Sequence, residues 1–298
     1  FLYLCRDKPR IFMIRKIVAI LTTLSCVACS TNSGHDTEQR LYVTINPLRM
    51  LVEELTCGDF DVAVLVPRGA SPETFEPTAR QMRELNDAEL VFSTGLIDFE
   101  SGLVANIDDR SKVIELHHGI EIASGCCSHK HHHHGHAHGI DPHIWTSPRA
   151  LGVMVETMSR AIANRYPDST KYRAAAEELL SRIAALDSRC EERITAAGIR
   201  AMMIYHPAYT YYARDYGIEQ IAIEQEGKEP TPRQLTALVE RAQRDGIDVI
   251  FHQPQYNADK LRTIANESGA RIEMCDPLAD DILAEIELLT AKICGDDE

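Results

Sequence analysis

Thirteen histidines stand in the 298-residue chain, and seven of them crowd into CCSHKHHHHGHAHG, at His129, His131, His132, His133, His134, His136 and His138. Imidazole binds zinc, copper and nickel well, but a flexible tract of it offers overlapping weak sites with no fixed geometry. Residues 126–138 therefore read as a loop that collects metal without selecting it, with a solvated low-complexity loop as the plain alternative. The run is internal and broken by Lys130, Gly135 and Ala137, unlike an expression tag. A second group of residues stands where β-type runs end. Glu73 lies in VPRGASPETFEP, His143 in GIDPHIW, His206 closes AMMIYH, and Asp276 follows RIEMC. Ligands of open α/β sheets bind outside the carboxyl ends of the strands. A lone His after a strand is more often structural, but two donors in each half at the same kind of position form a candidate metal set.

The elements that would position these residues alternate. Residues 41–45, 61–66, 89–95 and 112–116 read as strands in the first half, and 201–205, 218–223, 248–252 and 271–275 in the second. Helical patterns separate them, so each half is a series of βαβ units on a parallel sheet. Thr231-Pro232-Arg233-Gln234 is a helix start, with Thr as N-cap, Pro at N1 and Gln at N3. Between the halves, Tyr172, Ala176, Leu179, Ile183, Leu186, Cys190, Ile194 and Ala197 recur by threes and fours on one helical face. A helix over 170–197 is roughly 42 Å long at 1.5 Å per residue, more than one small lobe requires. It reads as a strut between two lobes. The fold class expected is α/β: two wound parallel-sheet lobes joined by one long helix.

Composition excludes several classes. At 44% hydrophobic and 26% charged, the chain is neither a disordered tail nor a polytopic membrane protein. With 45 acidic against 31 basic residues and a net charge of −14, it suits cationic partners and not nucleic acid held by phosphate contacts.

The first residues read as an address. Met13-Ile14-Arg15-Lys16 is basic and leads into IVAILTTLSCVAC, residues 17–29. That run is too short to span a bilayer, which takes about 20 apolar residues. It suits the core of a secretory signal starting at Met13. Cys29 after Ala28 resembles a bacterial lipobox, whose Cys is acylated and becomes the mature N-terminus. Cys26 stands where Leu is usual and is the alternative acceptor. The expected divisions are 1–28 for upstream residues and signal, 29–40 for a lipid-anchored tether, 41–148 for the first lobe with its His loop, 149–198 for a helical connector and 199–298 for the second lobe.

Longer stretches carry a resemblance. VTINPLRMLVEEL, LVPRGASPETFEPTARQM, the His tract running into DPHIWTSPRA, YHPAYTYYARDYGIEQ, EGKEPTPRQL, FHQPQYN and CDPLADD occur in that order. In these the chain resembles the periplasmic solute-binding lipoproteins of bacterial zinc and manganese ABC transporters, the metal-binding adhesin family, over residues 41 to about 290. The resemblance implies a monomer with one metal in the interlobe cleft, held by Glu73, His143, His206 and Asp276. It implies an ABC permease and its ATPase as partners, and a periplasmic location on a lipid anchor at Cys29. The family usually has His where this chain has Glu73, in Pro72-Glu73-Thr74-Phe75-Glu76-Pro77. A carboxylate still ligates. Two His and two carboxylates accept Zn2+, the expected metal, and also suit Mn2+ or Fe2+. Glu76 reads as a loop-orienting residue, Cys275 as structural, and His117, His118 and His252 as non-ligands. Cys275 and Cys294 are left open as a disulfide pair.

The expected role is capture and delivery of a divalent metal, with no catalysis. Ligating imidazoles must be neutral, so affinity should fall as pH drops through about 6.5, the reference His pKa. A zinc hydrolase with Glu73 or Glu76 as general base is the enzyme alternative, but neither H-E-x-x-H nor G-x-S-x-G is present. A metal buffer or adhesin working through the His loop, and a binder of metal chelates, are the others.

Overall fold

The computed structural model describes residues 40–124, 139–224 and 228–296. Among them lie two four-stranded, wholly parallel sheets. The first holds β1 (Arg40–Val43), β2 (Asp61–Val64), β3 (Leu90–Ser93) and β4 (Val113–Glu115) in the order β2-β1-β3-β4. The second holds β5 (Ala201–Ile204), β6 (Glu219–Ala222), β7 (Val249–His252) and β8 (Arg271–Met274) in the order β6-β5-β7-β8. All eight runs read from the sequence form strands, each shorter than its run, with β1 starting one residue earlier at Arg40. The order reverses between β1 and β3, and again between β5 and β7, which puts a crevice at the carboxyl ends of each central pair.

Helices cover the sheets: α1 (Pro47–Leu55), α2 (Ala79–Asp87) and α3 (Asp98–Asn106) in the first lobe, then α4 (Pro148–Arg165) and the long α5 (Thr170–Ala197). The second lobe adds α6 (Thr210–Asp215), α7 (Pro232–Asp245), α8 (Arg262–Ser268) and α9 (Ile282–Cys294). α3 is fixed at its first turn. Its start is made by a buried carboxylate: Glu100 accepts hydrogen bonds from the backbone N–H of Thr94, Gly95, Leu96 and Ile97 at 2.8–3.1 Å. Four backbone donors at the end of β3 are satisfied by one side chain.

The α5 face predicted from spacing is buried from Tyr172 to Ile194, whereas Ala197 is exposed beside the left-handed Gly198 that ends the helix. Arg182 pairs with Glu54 of α1, while Arg189 pairs with Glu287 of α9. One helix thus rests on both lobes. The larger apolar core runs from the first lobe through α4 and α5 to one face of the second sheet, at Met202, Ile204 and Phe251. Met203, Tyr205 and Ile250 point the other way into a smaller core under α7 and α8, as the strand period of two requires.

Cys29 and the histidines at 129, 131, 132, 133, 134, 136 and 138 lie outside the described residues. Cys275 and Cys294 are both free thiols.

Candidate metal centre

His206 sits just past β5, at the crevice between β5 and β7. Gln253, just past β7, grips its peptide on both sides: the Gln253 Nε2 donates to His206 O at 2.6 Å, and Gln253 Oε1 accepts from His206 N at 3.3 Å. The His206 ring is buried, stacked on Tyr256 with centroids 5.5 Å apart. Its Nδ1 lies 2.6 Å from Glu224 Oε1, and its Nε2 lies 3.2 Å from Glu73 Oε1.

His143 arrives from the other side. Its Nδ1 is 2.8 Å from Asp141 Oδ1, and the same oxygen accepts from the His143 backbone N–H at 2.9 Å. A short 3-10 turn, Ile144–Thr146, follows, with Thr146 Oγ1 2.8 Å from His143 O and 2.9 Å from Ala208 O of the second lobe. The Trp145 indole N–H donates to Pro277 O at 2.7 Å. Glu73 stands on a second 3-10 turn, Pro72–Thr74. Phe75 anchors that turn edge-on against Phe99 at 5.2 Å.

One ligand atom each from Glu73, His143 and His206 falls within 4.8 Å of the others. Both imidazoles give Nδ1 to a buried carboxylate, which fixes the tautomer, orients the ring and leaves Nε2 for an ion. Two ligands at zinc's bond lengths in a tetrahedral arrangement stand about 3.3 Å apart, close to the Glu73–His206 separation. The cavity between them is about 30 Å³, bounded by residues of both lobes including Ile97, Trp145, Tyr256 and Leu278. It has room for an ion or a few waters.

Asp276 lies outside this group. Its Oδ1 accepts from Leu278 N at 2.9 Å, and it lines an adjoining cavity of about 160 Å³. Glu76 is exposed, and His252 Nδ1 lies 3.2 Å from Gln253 O. His117 Nδ1 lies 3.1 Å from Thr94 O, and His118 is exposed beside Glu115. Cys275 is buried, with its thiol pushed up by that burial.

Asp141 and Glu224 were missed in the sequence. The signal for Asp141 was its place two residues before a His after a loop, where an Asx turn forms. Glu224 had none until the register of β6 was known. Burial raises the Asp141 carboxyl, but the neighbouring His143 and hydrogen bonds from His143 and Thr210 outweigh it and hold the group below its ordinary range. Burial lowers His206, yet its hydrogen bonds to Glu224 and Glu73 and their charges prevail and raise it to about 10. In the metal-free protein a proton therefore occupies the place of a cation.

Two α/β lobes on a shared long helix, with buffered imidazoles and a carboxylate converging between them, define a two-lobed binding protein built around a small cation. Residues 41–289 match the family described as the zinc-uptake complex component A, periplasmic (ZnuA), and the chain belongs to it. A crystal structure of ZnuA superposes with a TM-score of 0.77 at 29% identity, covering 86% of this chain and 98% of that one. A zinc-bound ZnuA deletion mutant gives 0.75 at 30% identity, over 86% and 96%. The zinc-binding lipoprotein AdcA of Streptococcus pneumoniae serotype 4 (strain ATCC BAA-334 / TIGR4) is 26% identical over 274 residues, which are 88% of this chain and 54% of that protein. The chain spans about half the length of the curated AdcA relatives it matches.

Proposed function

We propose that the protein captures a divalent transition metal outside the cytoplasm, zinc foremost, and delivers it to an ABC permease whose ATPase drives import. The metal is cargo and no bond is made or broken in it. Glu73, His143 and His206 take the ion, and Asp276 supplies a fourth ligand by turning its carboxylate away from Leu278 N while the backbone of its segment stays clasped. The observation that carries this reading is the convergence of the three ligand atoms, with each imidazole backed by its own buried carboxylate. The family's description as part of a zinc-uptake complex and the zinc bound to the ZnuA deletion mutant support the choice of cargo. In this reading the protein is monomeric, anchored through a lipid on Cys29, and the histidines at 129–138 gather metal ahead of the cleft.

A specific observation favours a second cargo. With Glu73 in place of the family's His, the donors are two nitrogens and carboxylate oxygens, which manganese and ferrous iron also accept. Zinc and manganese competition at fixed free-metal levels separates the readings, in the full chain and with residues 126–138 deleted. One tight zinc per chain that survives the deletion is expected. Loss of all tight binding on deletion would leave the His tract as the only binder and end the interlobe reading.

A further inference from the structure

The segment that follows β8 is fastened across the cleft at three points. Pro277 O accepts from Trp145, and Leu278 O accepts from Asn46 Nδ2 at 3.0 Å. The Asp280 carboxylate accepts from Asn46 Nδ2 at 2.7 Å, from Arg68 at 2.5 Å and from Arg49 at 3.3 Å. All these donors belong to the first lobe or its connector, and the acceptors to the second lobe. Asp276 stands at the root of the segment and is tied to it, because its Oδ1 accepts from the N–H of Leu278, whose own carbonyl is held by Asn46. Leu278 and Gln255 wall both the metal cavity and the adjoining one that Asp276 lines together with Asn46, Arg68 and Asp280.

We infer that Asp280 is a positioning residue for Asp276: by clasping Asn46 and Arg68 it sets where the 276–280 segment lies across the cleft, and so how Asp276 reaches the metal and how long the metal stays. The inference rests on the metal-capture reading above. The Arg68–Asp280 pair, with side chains 71% and 46% exposed, contributes little by itself. Asn46 is buried and bonds both Leu278 and Asp280, so it completes the clasp with a fixed geometry. Breaking the clasp frees the segment without touching Glu73, His143 or His206.

The test is zinc release from the full chain into excess chelator, with equilibrium chelator competition measured alongside it. Weak release from the His tract is fast, and the cleft gives the slow phase. Asp280→Ala should speed the slow phase and weaken affinity by about ten- to a hundredfold, the range for outer-shell substitutions. Asn46→Ala should act in the same direction, and a thermal melt checks that each variant is folded. On an Asp276→Ala background, Asp280→Ala should change affinity by less than about twofold, because residues acting through one another are non-additive. The positioning role is overturned if Asp280→Ala is silent on the wild-type background, or if it costs the same with Asp276 already gone. His206→Ala separates the two levels of the argument. If it leaves the slow phase intact, the cleft is not the metal site and the capture reading fails; if it removes that phase while Asp280→Ala does not alter it, the clasp alone fails.

Discussion

In the first lobe Val66 N donates to Thr44 O at 3.0 Å, and Thr44 N to Phe92 O at 3.0 Å; in the second, Glu224 N donates to Tyr205 O at 3.0 Å, and Tyr205 N to Phe251 O at 2.9 Å. The two sheets thus match residue for residue at the cleft. In that match His206 takes the place of Ile45, Glu224 that of Val66, and Asp276 that of His117. Ile45 and Val66 are buried apolar residues that seal the rim of the first lobe. The second lobe spends the same positions on an imidazole and the carboxylate that orients it. The first lobe's donors come instead from loops, Glu73 on its turn and His143 just before the turn Ile144–Thr146. One half of the site is set by sheet register and the other by local turns. His206 and Glu224 are 18 residues apart and meet only because β5 and β6 pair, while His143 and Asp141 are two apart and would meet in any chain that makes the same turn.

The sharpest way to break this comparison is to remove the two buttresses separately. Glu224→Gln and Asp141→Asn should each weaken zinc binding by about ten- to a hundredfold, since both fix a ligating ring. Glu224→Val, which installs the first lobe's residue, should lie at the upper end, because the His206 Nδ1 then loses its partner in a buried place. Isothermal titration on the three variants checks it. Less than a twofold change for Glu224→Val would mean that the sheet-register half of the site is ornament to the loop half.

The same difference explains what could be read from the residues. The parallel strands follow from eight short apolar runs, and the strut from a single helical face; the strand order was not read from the sequence. His206 and Asp276 were legible because they directly follow strands. Glu73 and His143 were read in the same way, though each sits farther from a strand, Glu73 on a 3-10 turn and His143 just before one. Glu224 was illegible: nothing about an acid after IEQIAI says that it faces a histidine until β5 and β6 are in register. Asp276 follows its strand as expected, yet its turn with Leu278 directs it to the neighbouring cavity, a matter of local hydrogen bonding that strand periodicity does not encode.

Proton occupancy sharpens the contrast. His206 is raised from an ordinary value near 6.5 to about 10 by Glu224 and Glu73 against the effect of burial. Its contribution to the stability of the metal-free fold is full below about pH 6.5, the unfolded value, and is lost as pH climbs towards 10. Zinc must displace that proton, so affinity should keep rising across the same window and not level off near 6.5. Melting temperatures of the metal-free and zinc-loaded protein should therefore diverge from pH 7 to 9.5. With Glu224→Gln the metal-free curve should flatten over that range. A metal-free melting temperature that rises from pH 7 to 9.5 would contradict the raised His206.

The smallest expected effect tests the comparison at its most symmetric point. Both lobes open the helix after their second strand with sequences alike at five of six positions, Glu76-Pro77-Thr78-Ala79-Arg80-Gln81 and Glu229-Pro230-Thr231-Pro232-Arg233-Gln234. Each makes a full capping box: Gln81 Oε1 accepts from Thr78 N at 3.0 Å, Gln234 Oε1 from Thr231 N at 2.8 Å, and each Thr hydroxyl accepts from the Gln backbone N–H. Thr78→Ala and Thr231→Ala should each destabilise the fold by about 1 kcal/mol, read as equal shifts in urea midpoints. Their effects on zinc should part. The first cap lies just beyond the turn that carries Glu73, and Gln81 also donates to Leu65 O at 2.9 Å, tying that turn's far end to β2. The second follows Glu224, whose position is already held by the ladder with β5. Thr78→Ala should weaken zinc binding by up to about fivefold, the most that about 1 kcal/mol of lost order supplies, and Thr231→Ala should leave it unchanged. Equal losses of affinity would show that the second lobe's loop is as much a part of the site as the first lobe's, and that register alone does not hold Glu224 in place.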